Sequence, residues 1–151
     1  MGFIHLFKAK LNWNSTSEKY SKTHKIVIDG KAILDVSAAK VFKGDPSLYN
    51  PEDLLLSSIV SCHMMSYLYV CAQNGIEVVS YQDEGVATLE VSENGSGRFT
   101  GVKLYPKITI TQQEKITEAL ELHKKANELC FIANSCNFPI IHFPSIISFC
   151  E

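Results

Sequence analysis

Residues 50–75 read NPEDLLLSSIVSCHMMSYLYVCAQNG, a stretch that combines helix signals at both ends with a long uncharged run. It opens with helix-start signals, because Asn50 can cap free N–H groups, Pro51 suits the first helical position, and an acidic residue follows at Glu52. The Asn-Gly pair at 74–75 is a typical helix end. Residues 54–72 carry no formal charge. The stretch therefore predicts a long helix, apolar on nearly every side, that must be covered all round.

The interruptions in this helix favour a soluble protein over a membrane span. Several serines and His63 lie within it, and no basic cluster flanks it to set an orientation. We therefore expect no membrane partner. Since one sheet covers only one side of a helix, a second copy of the chain is the expected cover for the rest.

Composition sets the remaining limits. The chain has 151 residues, 46% of them hydrophobic and 20% charged, and a formal charge of −2. The length predicts one domain over residues 1–151, and the mildly acidic balance argues against nucleic acid as a partner. Residues 1–16 lack the pattern of a secretory signal, so we expect a cytoplasmic protein whose five cysteines are reduced thiols.

The other segments predict an α+β chain. Strand patterns occupy residues 2–13, 24–29, 31–36, 77–92, 98–111 and 138–150. Asp29-Gly30 and the NGSG run at 94–97 predict two hairpins. Residues 111–114 (TQQE) form a capping-box pattern ahead of a second, amphipathic helix. Prolines restrict the last strand to an edge position. The order of elements is typical of an antiparallel sheet packed on helices.

Two cysteines occupy distinctive places. Cys62 follows Glu52 by ten residues in the central helix, and Cys130 follows the second helix in the stretch ANELCFIANS at 126–135. In these motifs and in its element order, the sequence resembles the OsmC/Ohr family of osmotically inducible and organic-hydroperoxide-resistance proteins. The CFIANS stretch is similar to a divergent OsmC-like subgroup. The resemblance implies an OsmC-like fold, with antiparallel sheets around a long buried helix, and an intertwined homodimer.

The resemblance also implies a function in oxidative-stress defence. It implies a thiol peroxidase without metal, haem or flavin, in which Cys62 is the peroxidatic thiolate and Cys130 the resolving thiol. Organic hydroperoxides are the implied substrates, and dithiols of the dihydrolipoyl type are the implied reductants. The chemistry requires an ionised Cys62, and a nearby second thiol protects its sulfenic acid from overoxidation. The alternative is a non-catalytic module that binds a small apolar or thiol-bearing ligand at the dimer cleft.

Glu52 is the third candidate site residue. Ten helical residues separate it from Cys62 by roughly 15 Å along the axis, so the two cannot touch within one straight helix. They can meet if two copies of the helix pack antiparallel about a two-fold axis near Ser57. We therefore predict that any Glu52–Cys62 contact joins two chains. The alternative role is a helix-start carboxylate in contact with solvent.

One departure from the family concerns arginine. The family's peroxidases carry an Arg in the N-terminal strand region that stabilises the thiolate, whereas the only Arg here is Arg98, at the second hairpin. Cationic or titratable side chains in the right region are Lys19, Lys22, His24 and Lys25. Lysine binds as a point charge without the planar fork of Arg. This departure favours the non-catalytic alternative, and the retained cysteine pair favours catalysis.

The remaining candidates have weaker patterns. His63 points about 100° away from Cys62 on a helix, and His123 is either a tuning group for Cys130 or a core histidine. Cys71 reads as a buried small hydrophobe, Cys136 as a possible substitute for Cys130, and Cys150 as incidental. The helix residues that can line an apolar substrate pocket, or simply form core, are Met64, Met65, Tyr67 and Leu68.

Overall fold

The structure, a computed structural model, describes residues 2–15 and 21–149. The chain divides into two compact units, Met1–Leu55 and Leu56–Glu151, and the boundary falls within the first helix. The helices are α1 (Pro51–Gln73) and α2 (Ile116–Leu129), with short 3₁₀ helices at Lys40–Phe42, Gln113–Lys115 and Ala133–Ser135. The strands are β1 (Lys10–Asn12), β2 (His24–Val27), β3 (Leu34–Val36), β4 (Val78–Gln82), β5 (Val86–Val91), β6 (Gly97–Leu104), β7 (Lys107–Ile110), β8 (Ile140–His142) and β9 (Ser145–Ser148).

The first unit contains an antiparallel sheet in the order β1-β2-β3. The predicted hairpin at Asp29-Gly30 is confirmed, and Gly30 takes the positive φ of 77° that the turn requires. The predicted strand over residues 2–13 is wrong outside Lys10–Asn12. Only this short stretch has a pairing partner, and the apolar side chains before it lie in solvent, with Phe7 94% exposed.

Helix α1 begins and ends as its sequence predicts. Asn50 Oδ1 accepts a hydrogen bond from the Asp53 N–H at 2.8 Å, which caps the first turn. At the other end Gly75 has a φ of 63°, and the N–H of Ile76 donates to the Cys71 carbonyl at 2.9 Å, as in a Schellman motif. By length and composition α1 could cross a membrane, a test that the core helix of a soluble protein also passes.

The second unit contains two three-stranded sheets, β5-β6-β8 and β4-β7-β9. The β5–β6 hairpin predicted at residues 94–97 is confirmed. The predicted strands over residues 77–92 and 98–111 are each broken near the middle, at residues 83–85 and at Tyr105-Pro106 respectively. Gly85 permits the first break to pack on α1, because a Cβ there would lie 2.6 Å from Val60 Cγ1.

The second unit combines the expected antiparallel pairing with parallel pairing that the sequence did not predict. Strands β8 and β9 pair in parallel with β6 and β7 respectively. The physical reason is the crossover through α2, because a chain that returns through a helix can add a parallel strand. A bend at Pro144 separates β8 from β9 and lies beside the bend at Pro106 that separates β6 from β7. The chain from β8 to β9 therefore runs alongside the chain from β6 to β7 across both sheets. The α+β class itself is confirmed.

The predicted capping box at residues 111–114 is also wrong. The Thr111 hydroxyl contacts Glu77 and Gln112 instead of capping a helix, and α2 starts only after a 3₁₀ turn, without a side-chain cap. The core of the second unit lies between α1, α2 and the β4-β7-β9 sheet. Its buried members are Tyr67, Val70, Cys71, Ile76, Ile108, Ile110, Ala119 and Ala126.

Candidate active site

The two cysteines singled out in the sequence lie in contact. Cys62 is half-buried in the middle of α1, and Cys130 is fully buried immediately after α2. Burial, together with a side-chain hydrogen bond to Cys62, raises the pKa of the Cys130 thiol to about 11. At neutral pH the Cys130 thiol is therefore protonated, and Cys62 carries the more accessible sulfur.

Local backbone contacts hold Cys130 in place. Helix α2 ends at Leu129, and Cys130 turns to an extended conformation while its N–H donates to the Asn127 carbonyl at 3.3 Å. Its Sγ accepts a hydrogen bond from the Ala133 N–H at 3.4 Å, and its carbonyl accepts one from the Asn134 N–H at 3.0 Å. The 3₁₀ turn after the cysteine thus wraps around its sulfur, so the position of Cys130 follows that of α2.

Glu52 lies in the first turn of α1 and is half-buried. Its Oε2 atom is buried without a hydrogen-bond partner in the described part of the chain. A buried carboxylate oxygen without a hydrogen bond costs free energy, so this oxygen favours a hydrogen-bond donor from outside the described part of the chain. The predicted contact with Cys62 of a second chain stays a prediction.

The candidate cations have local roles in the first unit. Lys25 forms a 2.6 Å ion pair with Asp35, and the Lys22 ammonium donates to the Phe42 carbonyl. His24 Nδ1 lies 2.8 Å from the Lys22 carbonyl. Lys19 falls outside the described residues. Arg98 is exposed near the start of β6, opposite Glu90 of β5.

The other cysteines differ in their surroundings. Cys71 is fully buried in the core beside Tyr67, which confirms the prediction of a buried small side chain. The half-buried Cys136 donates a weak hydrogen bond to the Ile132 carbonyl at 3.2 Å. Cys150 falls outside the described residues. Tyr67 itself is a core residue, whereas Met65 is 56% exposed on another face of α1.

A buried histidine cluster is the main feature that sequence reasoning missed. His63 of α1 and His123 of α2 are 1% and 3% exposed, and His63 Nε2 lies 3.0 Å from His123 Nδ1. The ring of His142, in β8, packs on His63 with a centroid separation of 4.1 Å. A sequence signal existed, because Ile59, His63 and Tyr67 recur every four residues on the buried face of α1.

Burial keeps these imidazoles neutral. Desolvation, with smaller contributions from neighbouring histidines, lowers the pKa of both His63 and His123 to about 3. Desolvation also lowers the pKa of His142. His63 Nδ1, His123 Nε2 and His142 Nε2 are buried and unpartnered in the described residues. Among those same residues, no group of three or more His, Cys, Asp or Glu side chains is arranged to hold a metal ion.

Comparison with known proteins identifies the class to which this fold belongs. Residues 44–142, more than half of the chain, match the family described as OsmC-like protein. The chain therefore belongs to the OsmC-like family, as the resemblance in the sequence implied.

Individual relatives agree with this assignment. An uncharacterized protein of Bacillus subtilis (strain 168) is 24% identical over 136 residues, which cover 87% of this chain and 86% of that protein. An OsmC-like protein of unknown function from Vibrio cholerae has 27% identity and a TM-score of 0.83, covering 95% of this chain and all of that one. An organic hydroperoxide resistance protein from Legionella pneumophila shares the fold, with 20% identity, a TM-score of 0.74 and coverage of 96% and 98%.

Proposed function

We propose that this protein is a thiol peroxidase that reduces organic hydroperoxides through Cys62 and Cys130. The contact between the two thiols carries the proposal. A peroxidatic cysteine must be reachable and a resolving cysteine must lie beside it, and the half-buried Cys62 and the fully buried Cys130 have this arrangement. The fold relative named as an organic hydroperoxide resistance protein supports the same substrate class.

The first step oxidises Cys62. Its thiolate attacks the terminal oxygen of the hydroperoxide, a sulfur–oxygen bond forms, and the oxygen–oxygen bond breaks. The leaving alkoxide takes a proton and departs as the alcohol, while Cys62 becomes a sulfenic acid. The buried Cys130 thiol hydrogen-bonds the reacting sulfur, so the second cysteine is already in place when the sulfenic acid forms.

The second step forms the disulfide. The Cys130 sulfur attacks the Cys62 sulfenic sulfur, the sulfur–sulfur bond forms, and hydroxide leaves and takes up a proton to become water. A small dithiol then exchanges with the disulfide, is itself oxidised, and returns both cysteines to thiols. Since the pKa of Cys130 is about 11, its thiol must lose a proton during attack, so the hydroxide that leaves is a suitable acceptor.

A second copy of the chain is part of the proposal. Around Cys62, the residues Met65 and Tyr69 of α1 are each 56% exposed. Covering such side chains with an identical chain would bury apolar area at roughly 25 cal/mol per Å². A partner helix packed antiparallel would also bring its Glu52 carboxylate near Cys62. The buried Glu52 oxygen would then gain the partner that it lacks in the described part of the chain. We place this homodimer in the cytoplasm.

Mass spectrometry tests the mechanism. After addition of one molar equivalent of cumene hydroperoxide, we expect the intact chain to lose two hydrogens, with the bond mapped to Cys62–Cys130. Cys62→Ser should abolish hydroperoxide consumption with a dithiol reductant. Cys130→Ser should leave Cys62 as a sulfenic or overoxidised acid. Cys136→Ser is the matched control, because this half-buried cysteine hydrogen-bonds only its own turn in the described structure, and it should leave turnover unchanged.

The alternative function is a non-catalytic module that binds a small apolar or thiol-bearing ligand. The exposed position of Arg98, the chain's only arginine, favours it. Hydroperoxide consumption by Cys62→Ser at the rate of the parent protein would refute the proposed mechanism. Absence of any reaction in the parent protein would favour the binding module.

A further inference from the structure

The histidine cluster connects the two helices that position the cysteines. Helix α1 carries Cys62 and His63 as consecutive residues, and α2 carries His123 and ends one residue before Cys130. Because Cys130 is held by backbone contacts of the turn after α2, any movement of α2 against α1 also moves one thiol against the other.

Three side-chain contacts join these helices directly. His63 Nε2 and His123 Nδ1 lie 3.0 Å apart and share one hydrogen bond between neutral rings. The Tyr67 hydroxyl donates to the Ala119 carbonyl at 3.0 Å. The Tyr67 ring also stacks on His123, with a centroid separation of 3.9 Å and an interplanar angle of 12°. We call His63, Tyr67 and His123 the helix clamp.

The clamp differs in kind from the apolar contacts around it. Apolar burial is non-directional, so Val70, Ala119 and Ala126 favour close packing of the helices without selecting one register. Hydrogen bonds lose most of their strength when the distance or angle is poor. A slip of one residue along a helix moves a side chain by about 1.5 Å, which is enough to break the hydrogen bonds of the clamp.

Disulfide formation is sensitive to a displacement of the same size. A disulfide needs its two Cβ atoms within about 3.5–4.5 Å of each other. We propose that His63, Tyr67 and His123 are positioning residues that hold Cys130 against Cys62 and so set the ease with which the pair forms a disulfide. This inference rests on the proposed peroxidase only for the biological role of the disulfide.

A redox titration measures the effect without any peroxide. The protein is equilibrated with mixtures of reduced and oxidised glutathione, and the Cys62–Cys130 disulfide is quantified by peptide mapping, which gives the effective concentration of the pair. Replacement of His63 by Leu removes the hydrogen bond to His123 and should lower this value by about tenfold, the equivalent of one buried hydrogen bond. His63→Gln can place an amide nitrogen near the position of Nε2 and should stay within about threefold of the parent.

Controls separate positioning from folding. His5→Leu replaces an exposed histidine outside the clamp and should leave the equilibrium unchanged. Near-ultraviolet circular dichroism shows whether each variant is folded. If His63→Leu does not fold, Tyr67→Phe decides, because it retains the stacked ring and removes the hydroxyl, with its bonds to Ala119 of α2 and to Cys71 of its own helix. A loss of about threefold or more then supports the proposal.

The outcomes distinguish the two proposals. A folded His63→Leu variant with the parent's disulfide equilibrium overturns the positioning role, and so does a Tyr67→Phe variant with that equilibrium where Tyr67→Phe decides. In either case the peroxidase mechanism is unaffected. A parent protein that forms no Cys62–Cys130 disulfide at any glutathione ratio instead contradicts the resolving role of Cys130. Equal loss in His63→Leu and His63→Gln would show that the hydrogen bond between His63 and His123 does not position the two cysteines, and this also overturns the proposal.

Discussion

Acid should destabilise this protein through its buried histidines. In the folded chain the pKa of His63 and of His123 is about 3, against 6.5 for a solvated imidazole, because burial excludes the charged form. When the pH falls from 7 to 5, the unfolded chain binds protons at both positions and the folded chain does not. Stability is therefore complete above pH 6.5 and is lost as the pH falls toward 3.

The magnitude follows from the two pKa values. Between pH 7 and pH 5, proton uptake by one unfolded histidine lowers the free energy of unfolding by about 2 kcal/mol. Two such histidines give about 4 kcal/mol, a large share of the roughly 5–15 kcal/mol that holds a typical domain folded. Lowering of the His142 pKa acts in the same direction.

Urea unfolding at pH 7 and pH 5 measures this change. Protein concentration is kept fixed, since association would shift the midpoint. His123→Asn keeps an amide near the Nδ1 position but cannot titrate, so it should reduce the pH dependence by about 2 kcal/mol. His5→Gln is the exposed control. Desolvation raises the pKa of Asp83, which acts with the opposite sign, and Asp83→Asn removes that contribution.

Two results would refute this reasoning. One is a parent protein whose free energy of unfolding changes by less than about 1 kcal/mol between pH 7 and pH 5 after the Asp83 contribution is removed. The other is a His123→Asn variant that keeps the full pH dependence of the parent. Either result would mean that these imidazoles are solvated or charged in the folded chain.

Two further substitutions test local features of the first unit by urea unfolding. Gly44→Ala should cost about 2 kcal/mol or more, because its Cβ would lie 1.6 Å from the Ala38 carbonyl oxygen, whereas Gly2→Ala meets no atom within 4 Å and should be neutral. A tolerated Gly44→Ala would contradict the backbone path of this loop. Asn50→Ala should cost about 1 kcal/mol by removing the cap on the Asp53 N–H, and Asn50→Ser should retain most of it. Equal stability of the two Asn50 variants would show that the cap contributes nothing.

Features governed by neighbouring residues were predictable. The bounds of α1 follow from Asn50, Pro51 and Gly75, whose effects extend over one helical turn. Both hairpins follow from turn residues that accept positive φ. The capping box at Thr111 failed because its hydroxyl found other partners in Gln112 and Glu77, and a local pattern cannot exclude such competition.

The long apolar helix, the α+β class and the resemblance to the OsmC-like family could all be predicted from the sequence. These depend on periodicity, local backbone preference and spacing along one chain. The parallel pairing of β8 and β9 and the contacts among His63, His123 and His142 could be seen only in the folded chain. The physical reason is that such contacts join residues up to 79 positions apart, and the packing of α2 across the sheets brings them together.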